Sequence, residues 1–143
     1  MGQWHVDATS TPGVLRLTLE GRLTLDEMAA FVAAHNRAID EYGNRDYKVW
    51  CDISSLLTLS QECASQFEQA KQYSNAHPNF RGSAVLVANA VVALQHRRTS
   101  VEGGVISTEL ISQDVKSLED HLRTVYRRAG IERPGIACAP EPA

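Results

Sequence analysis

The chain has 143 residues, 43% of them hydrophobic and 22% charged, with a formal net charge of −3 and a pI near 5.9. That length suits one domain with a real core, and the composition is globular, which excludes wholesale disorder. The acidic balance gives no footprint for a nucleic-acid binder, and no apolar run approaches the roughly 20 residues that span a bilayer.

The opening residues, Met1 to Asp7, lack the basic and then apolar blocks of a signal peptide. A cytoplasmic protein without nucleic-acid or membrane partners is therefore expected. Trp4 to Ala8 alternates weakly, Thr11-Pro12-Gly13 marks a turn, and Val14 to Leu19 alternates clearly, so the start reads as an antiparallel hairpin ended by Gly21. Thr24 and Glu27 form the two ends of a capping box. Behind it, Met28, Phe31, Val32, His35, Ile39 and Tyr42 recur at helical spacing, and Gly43-Asn44 stops the helix. His35 falls on that stripe and reads as a packing histidine.

Val49 to Ile53 is short, apolar and β-prone, as suits an interior strand covered on both faces. A second helix is predicted from about Ser60, with Cys63, Ala64, Phe67, Ala70 and Lys71 along one side, ending before His77-Pro78. Ser83 to Val87 is the clearest interior strand. Ala90 to Arg98 reads as a third helix, interrupted by Gly103-Gly104, and Glu109 to Ile111 as a last strand. Ser112 is expected to cap a final helix striped by Val115, Leu118, Leu122, Val125 and Tyr126 and stopped by Gly130. The alternation after an opening hairpin predicts an α/β fold: a mixed, mostly parallel sheet of about five strands with about four helices. Residues 1–130 form the expected single domain, and 131–143, with three of the five prolines, a loose tail.

Chemistry-bearing residues are sparse. Cys51, Cys63 and Cys138 have no CxxC spacing, and their odd number excludes a complete disulfide framework; the first two read as buried thiols. The five histidines are dispersed, with no HExxH pair, so neither a metal nor a cofactor is expected. Gly103-Gly104 lacks the Lys-Ser or Lys-Thr of a phosphate loop, and no G-x-S-x-G elbow is present. The chain is read as no enzyme. Two basic groups, His96-Arg97-Arg98 and Arg123, Arg127 and Arg128, would make an anionic docking patch only if the fold converged them; solvated helix faces are the simpler account.

The most informative stretch runs from Lys48 to Phe67, a buried strand feeding a helix start through hydroxyl-rich residues. Such a start offers unpaired N–H groups and the positive end of the helix dipole. Asp52, Ser54, Ser55, Thr58, Ser60, Gln61 and Glu62 are the candidate partner-binding or regulatory residues. Bland roles compete: Thr58 or Ser60 as helix cap, Ser54 and Ser55 as turn residues, Asp52 as acceptor for the following loop. At the carboxyl end of an interior strand Asp52 also stands where α/β ligands commonly bind, yet no partner base or metal ligand accompanies it.

Gly21-Arg22-Leu23-Thr24, Val49 to Ser54 and Ala84 to Val87, within a span of about Val14 to Leu122, resemble the STAS superfamily, particularly its SpoIIAA-like members. The resemblance implies the same hairpin followed by alternating helices and strands. It also implies a noncatalytic regulatory module with a protein partner, kinase or anti-sigma-like, and a homodimer as one form. In anti-sigma-factor antagonists of that family a serine opening the helix after the Asp-bearing strand is phosphorylated. The family's Asp-Ser-Ser-Gly pattern falls on Ser60-Gln61-Glu62-Cys63, which sets Glu62 at the acceptor position; a shift of register offers Ser60. Glu62 would supply permanent negative charge there. The alternative function is a carrier of a small apolar or anionic ligand, which requires a cavity of several hundred cubic ångströms, on the order of pockets in general.

Overall fold

The computed structural model describes residues 2–125. Strands β1 (Gln3–Asp7) and β2 (Val14–Gly21) form the opening hairpin. They are followed by α1 (Leu25–Tyr42), β3 (Tyr47–Leu56), α2 (Gln61–Ala76), β4 (Phe80–Leu86), α3 (Ala90–Gly103), a 3-10 turn at Ile106–Thr108, β5 (Glu109–Ser112) and α4 (Val115–Thr124). The sheet runs in chain order, β1-β2-β3-β4-β5, antiparallel for the first pair and parallel for the rest. The anticipated mixed sheet with four helices is what the described residues form.

This order has a geometric consequence. Each crossover steps one strand in the same direction, and crossovers of one hand then lay their helices on one face. Helix α2 accordingly packs between α1 and α3, whereas α4, which follows the last strand, packs on β4 and β5. Alternation sorts the strands the same way. Leu15, Leu17 and Leu19 of β2 and Val49, Cys51 and Ile53 of β3 are buried under the α1–α3 layer, while Arg16, Thr18, Trp50 and Asp52 take the opposite face.

Local signals explain the boundaries. The Thr24 hydroxyl accepts from the Glu27 amide at 3.1 Å and the Glu27 carboxylate accepts from the Thr24 amide at 2.8 Å, completing the capping box. Met28, Phe31, His35, Ile39 and Tyr42 are buried as their spacing predicts, with Val32 half-buried. Phe31 anchors the core, edge-on to Phe67 at 5.8 Å and to Trp4 at 6.1 Å. The two glycines at the end of α3 have separate tasks. A Cβ on Gly103 would lie 2.4 Å from the Lys71 Cβ, so its absence lets α2 and α3 approach; Gly104, at φ +84°, supplies the left-handed helix stop.

Three expectations are corrected. Strand β3 does not end near Ile53: Ser55 and Leu56 pair with Glu20 and Gly21 beyond a register shift, so Ser54 and Ser55 are strand residues and make no turn. Strand β4 starts earlier, at Phe80, and ends at Leu86, while α3 continues to Gly103. Ser112 is not the cap of α4. It still pairs with Leu86 in the sheet, and Asp114 caps instead, accepting from the Ser117 amide at 3.3 Å. Helix α4 ends at Thr124; Tyr126, Gly130, Cys138 and the tail from 131 lie outside the described residues.

Candidate functional site

Where the parallel strands end, the chain builds a rim from the β3–α2 link and the first turns of α3. Leu57 donates its amide to the Gly21 carbonyl at 3.0 Å, which ties the link to the end of β2. Gln95 clamps the same link to α3: its Oε1 accepts from the Leu59 amide at 2.9 Å and its Nε2 donates to the Leu59 carbonyl at 2.8 Å. A side-chain amide that satisfies both backbone groups of one residue holds that residue in place. Ser60 caps α2, its hydroxyl accepting from the Cys63 amide at 3.1 Å. Asn89 caps α3 in the same manner, accepting from the Val92 amide at 2.9 Å.

Around these fixed points the rim presents apolar side chains to solvent. Leu25 is 47% exposed, Leu57 49%, Val91 65% and Leu94 69%. Leu25 shares a shallow groove with Gln61 and Glu62, and Leu94 adjoins the Gln95 clamp. All four lie in the β3–α2 link or in the first turns of α1 and α3. Thr58, Ser60, Gln61 and Glu62 all stand exposed there, and the Thr58 hydroxyl has no partner among the described residues. Glu62, in the first turn of α2, suits the positive end of the helix dipole.

The rest of the candidate set lies elsewhere. Asp52 is on the sheet face away from the α1–α3 layer, where its Oδ1 accepts from the Ser54 amide at 2.9 Å and from the Ser54 hydroxyl at 2.6 Å. That local bond accounts for both residues. Ser55 is exposed at the end of β3. Arg97 and Arg98 are exposed on α3 and Arg123 on α4, on opposite sides of the sheet, so these basic groups do not converge; Arg127 and Arg128 lie outside the described residues.

Farther along α2 and α3, between them and the sheet, lies a buried polar cluster that reading the sequence by periodicity does not assemble. The Lys71 ammonium of α2 donates to His96 Nε2 at 2.6 Å, to Ser100 Oγ at 2.8 Å and to both Glu109 carboxylate oxygens at 3.2 Å. Ser83 and Ser100 donate to the same carboxylate at 3.1 and 2.8 Å. Burial alone would raise the Glu109 pKa; the Lys71 charge, the His96 ring 3.1 Å from Oε1 and the Ser100 hydroxyl outweigh it and hold the carboxyl well below its usual range. Burial, reinforced by Lys71, lowers His96 to about 4, so its imidazole is neutral and Nε2 accepts from the ammonium. Burial likewise lowers His35 to about 4 and pushes the Cys51 thiol up to about 12, which leaves that thiol inert. The signal for this cluster was Lys71 itself: a lysine on an apolar helical stripe must find a carboxylate.

This arrangement ties α2, α3, β4 and β5 together about two to three turns along the helices from their exposed starts. It offers no nucleophile beside a base in an open cleft, and no group of acidic, histidine or cysteine side chains suited to a metal occurs among the described residues. No described helix is long and apolar enough to cross a membrane.

No protein-family model and no curated protein sequence matches the chain. Solved structures similar in fold include two proteins of low sequence identity. An uncharacterized DUF3478-family protein with a SpoIIAA-like fold from Shewanella loihica PV-4 is 15% identical, with 85% of this chain and 93% of that chain covered at a TM-score of 0.60. An anti-sigma factor antagonist from Mycobacterium paratuberculosis is 13% identical, with 86% and 95% covered at a TM-score of 0.57. The hairpin, the sequential parallel strands and the helix layer thus give this chain a SpoIIAA-like α/β fold.

Proposed function

We propose that the chain is a noncatalytic regulatory module that binds a protein partner through the rim formed by the β3–α2 link and the N-terminal turns of α2 and α3. The observation that carries this reading is the exposed apolar set Leu25, Leu57, Val91 and Leu94, disposed about a link clamped by Gln95 and capped by Ser60. Rigid backbone limits the entropy lost on docking, and exposed leucines supply area to bury. Glu62 and Gln61 provide the polar edge, and Glu62 holds a permanent negative charge where the resemblance puts a phosphorylated residue. Ser60 is the hydroxyl that a regulating kinase would address, since it is exposed and a phosphate at a helix N-cap meets the dipole favourably. Its neighbour Glu62 would then repel the added charge, so modification would change the rim's electrostatics sharply.

Pull-down from native lysate, with wild type beside Leu94→Asp and Glu62→Lys and read by mass spectrometry, tests the proposal. Leu94→Asp is expected to weaken capture of a partner by at least about tenfold, or about 1.4 kcal/mol. Because both positions are exposed, stability should stay within about 0.5 kcal/mol of wild type. Equal capture by all three proteins, or none by wild type, would reject the rim as the docking surface.

A further inference from the structure

The opposite face of the sheet carries a second site. Helix α4 packs chiefly on β4 and β5 there, and between α4 and the β2–β3 half of the sheet lies a cleft of about 620 Å³. That volume falls within the range, about 300 to 1,000 Å³, typical of small-molecule sites. Its floor includes the half-buried ring of Trp50, with the guanidinium carbon of Arg16 5.7 Å from the ring centroid. Arg16 is aimed by one bond, Nε to Thr11 Oγ1 at 2.9 Å, and among the described residues both its Nη groups lack a partner. A guanidinium set over an indole and held at Nε keeps its outer edge free for bidentate contact with a carboxylate or similar anion.

The surrounding charge agrees. Arg16, Lys48, Arg81 and Arg123 line the cleft against Asp46 and Glu119, a positive excess in a chain whose formal charge is −3. Two of the cations are engaged with carboxylates, Arg81 with Asp46 at 2.7 Å and Arg123 with Asp120. Lys48 spends one donor on the Leu122 carbonyl at 2.6 Å and has others to offer. Arg16 and Lys48 therefore supply donors at one wall, and Trp50, Val14, Leu122 and Val125 supply apolar surface.

We propose that this cleft binds a small organic anion with a flat apolar body, which lies against Trp50 while its anionic group meets Arg16 and Lys48. This site goes beyond the rim and is independent of it: partner capture can fail without bearing on the cleft, and the reverse holds equally.

Fluorescence titration of the full chain with 8-anilinonaphthalene-1-sulfonate provides the test, beside N-phenyl-1-naphthylamine, which has the same rings and no sulfonate. Saturable binding of the sulfonate at one site is expected, at least tenfold tighter than the amine. Arg16→Gln and Lys48→Met should each weaken it at least tenfold, and Arg98→Gln, on α3 across the sheet, should leave it unchanged. Circular dichroism will establish that the variants fold; Arg16 and Arg98 are exposed, so their replacement leaves the core intact. Equal binding of the two probes, or binding unaffected by both cleft variants, would overturn the proposal. Absence of binding, as expected were another stretch of chain or a second copy to fill the cleft, would overturn it too.

Discussion

Glu109→Gln will cost about 3–5 kcal/mol of stability at pH 7, the usual penalty when one partner of a buried ion pair is removed. The side chain keeps its shape and can still meet Ser83 and Ser100, so the loss isolates the charge. What remains is the Lys71 ammonium, buried behind α2 and α3 with a neutral imidazole and a hydroxyl as its other partners. An ammonium in that position has lost its water and now lacks its counter-charge. Urea denaturation at constant slope would measure the effect as a shift of the midpoint. Lys71→Met combined with Glu109→Gln should recover at least about 2 kcal/mol of the summed single losses, because it removes the stranded charge. A Glu109→Gln protein within about 1 kcal/mol of wild type, or strict additivity in the double variant, would show that the pair is not coupled as its geometry requires.

Between pH 6.5 and 4 the protein will lose on the order of 6 kcal/mol, shared by His35 and His96. Both imidazoles are buried and neutral in the fold, with pKa values lowered to about 4 from the ordinary 6.5. The unfolded chain therefore binds protons that the folded chain refuses. Stability is fully present above pH 6.5 and falls as the pH drops towards 4. Each histidine forfeits about 1 kcal/mol by pH 5.5 and about 3 kcal/mol by pH 4. His35 faces Asn36, the Phe31 ring and the positive field of Lys71; His96 faces Lys71 and Glu109. Glu109 acts in the same direction below its ordinary pKa, since its depressed folded value makes acid unfolding take up a further proton. A loss of this size is comparable with the whole stability of a domain, about 5–15 kcal/mol, so acid unfolding should be complete near pH 4. Urea midpoints at pH 7, 5.5 and 4 will show the slope, and His35→Gln should remove about half of it. A midpoint constant from pH 7 to 5 would contradict the burial of these imidazoles as neutral groups.

How far the fold was legible depends on whether its determinants were local. Thr24 and Glu27 lie three residues apart, and Leu15, Leu17 and Leu19 alternate within one strand, so the capping box and the buried face of β2 could be read directly. Ser54 and Ser55 misled because their polarity favours a loop, while their place in β3 is decided by pairing with β2, a tertiary fact. Ser112 misled for the same reason: a good capping residue was retained by the sheet, and Asp114 took the cap two residues later.

The candidate site divides along the same line. Ser60 and Glu62 could be placed at the start of α2 by capping logic alone. Val91 and Leu94 could not be recognised as exposed, because which side of α3 turns inward is settled by Val92, His96, Thr99 and Ser100, a set hardly more apolar than the outer face. The Lys71–Glu109 pair joins residues 38 apart in sequence, across a strand and a helix. Only the folded sheet brings them together.

Amide hydrogen exchange of the full chain, alone and saturated with its captured partner, reads out directly whether the rim is the protein-docking surface. Slowed exchange over 56–62 and 89–98, with β1 and α4 unchanged, is the predicted result. Slowing confined to α4 and the open sheet face, with the rim exchanging as in the free chain, would contradict it.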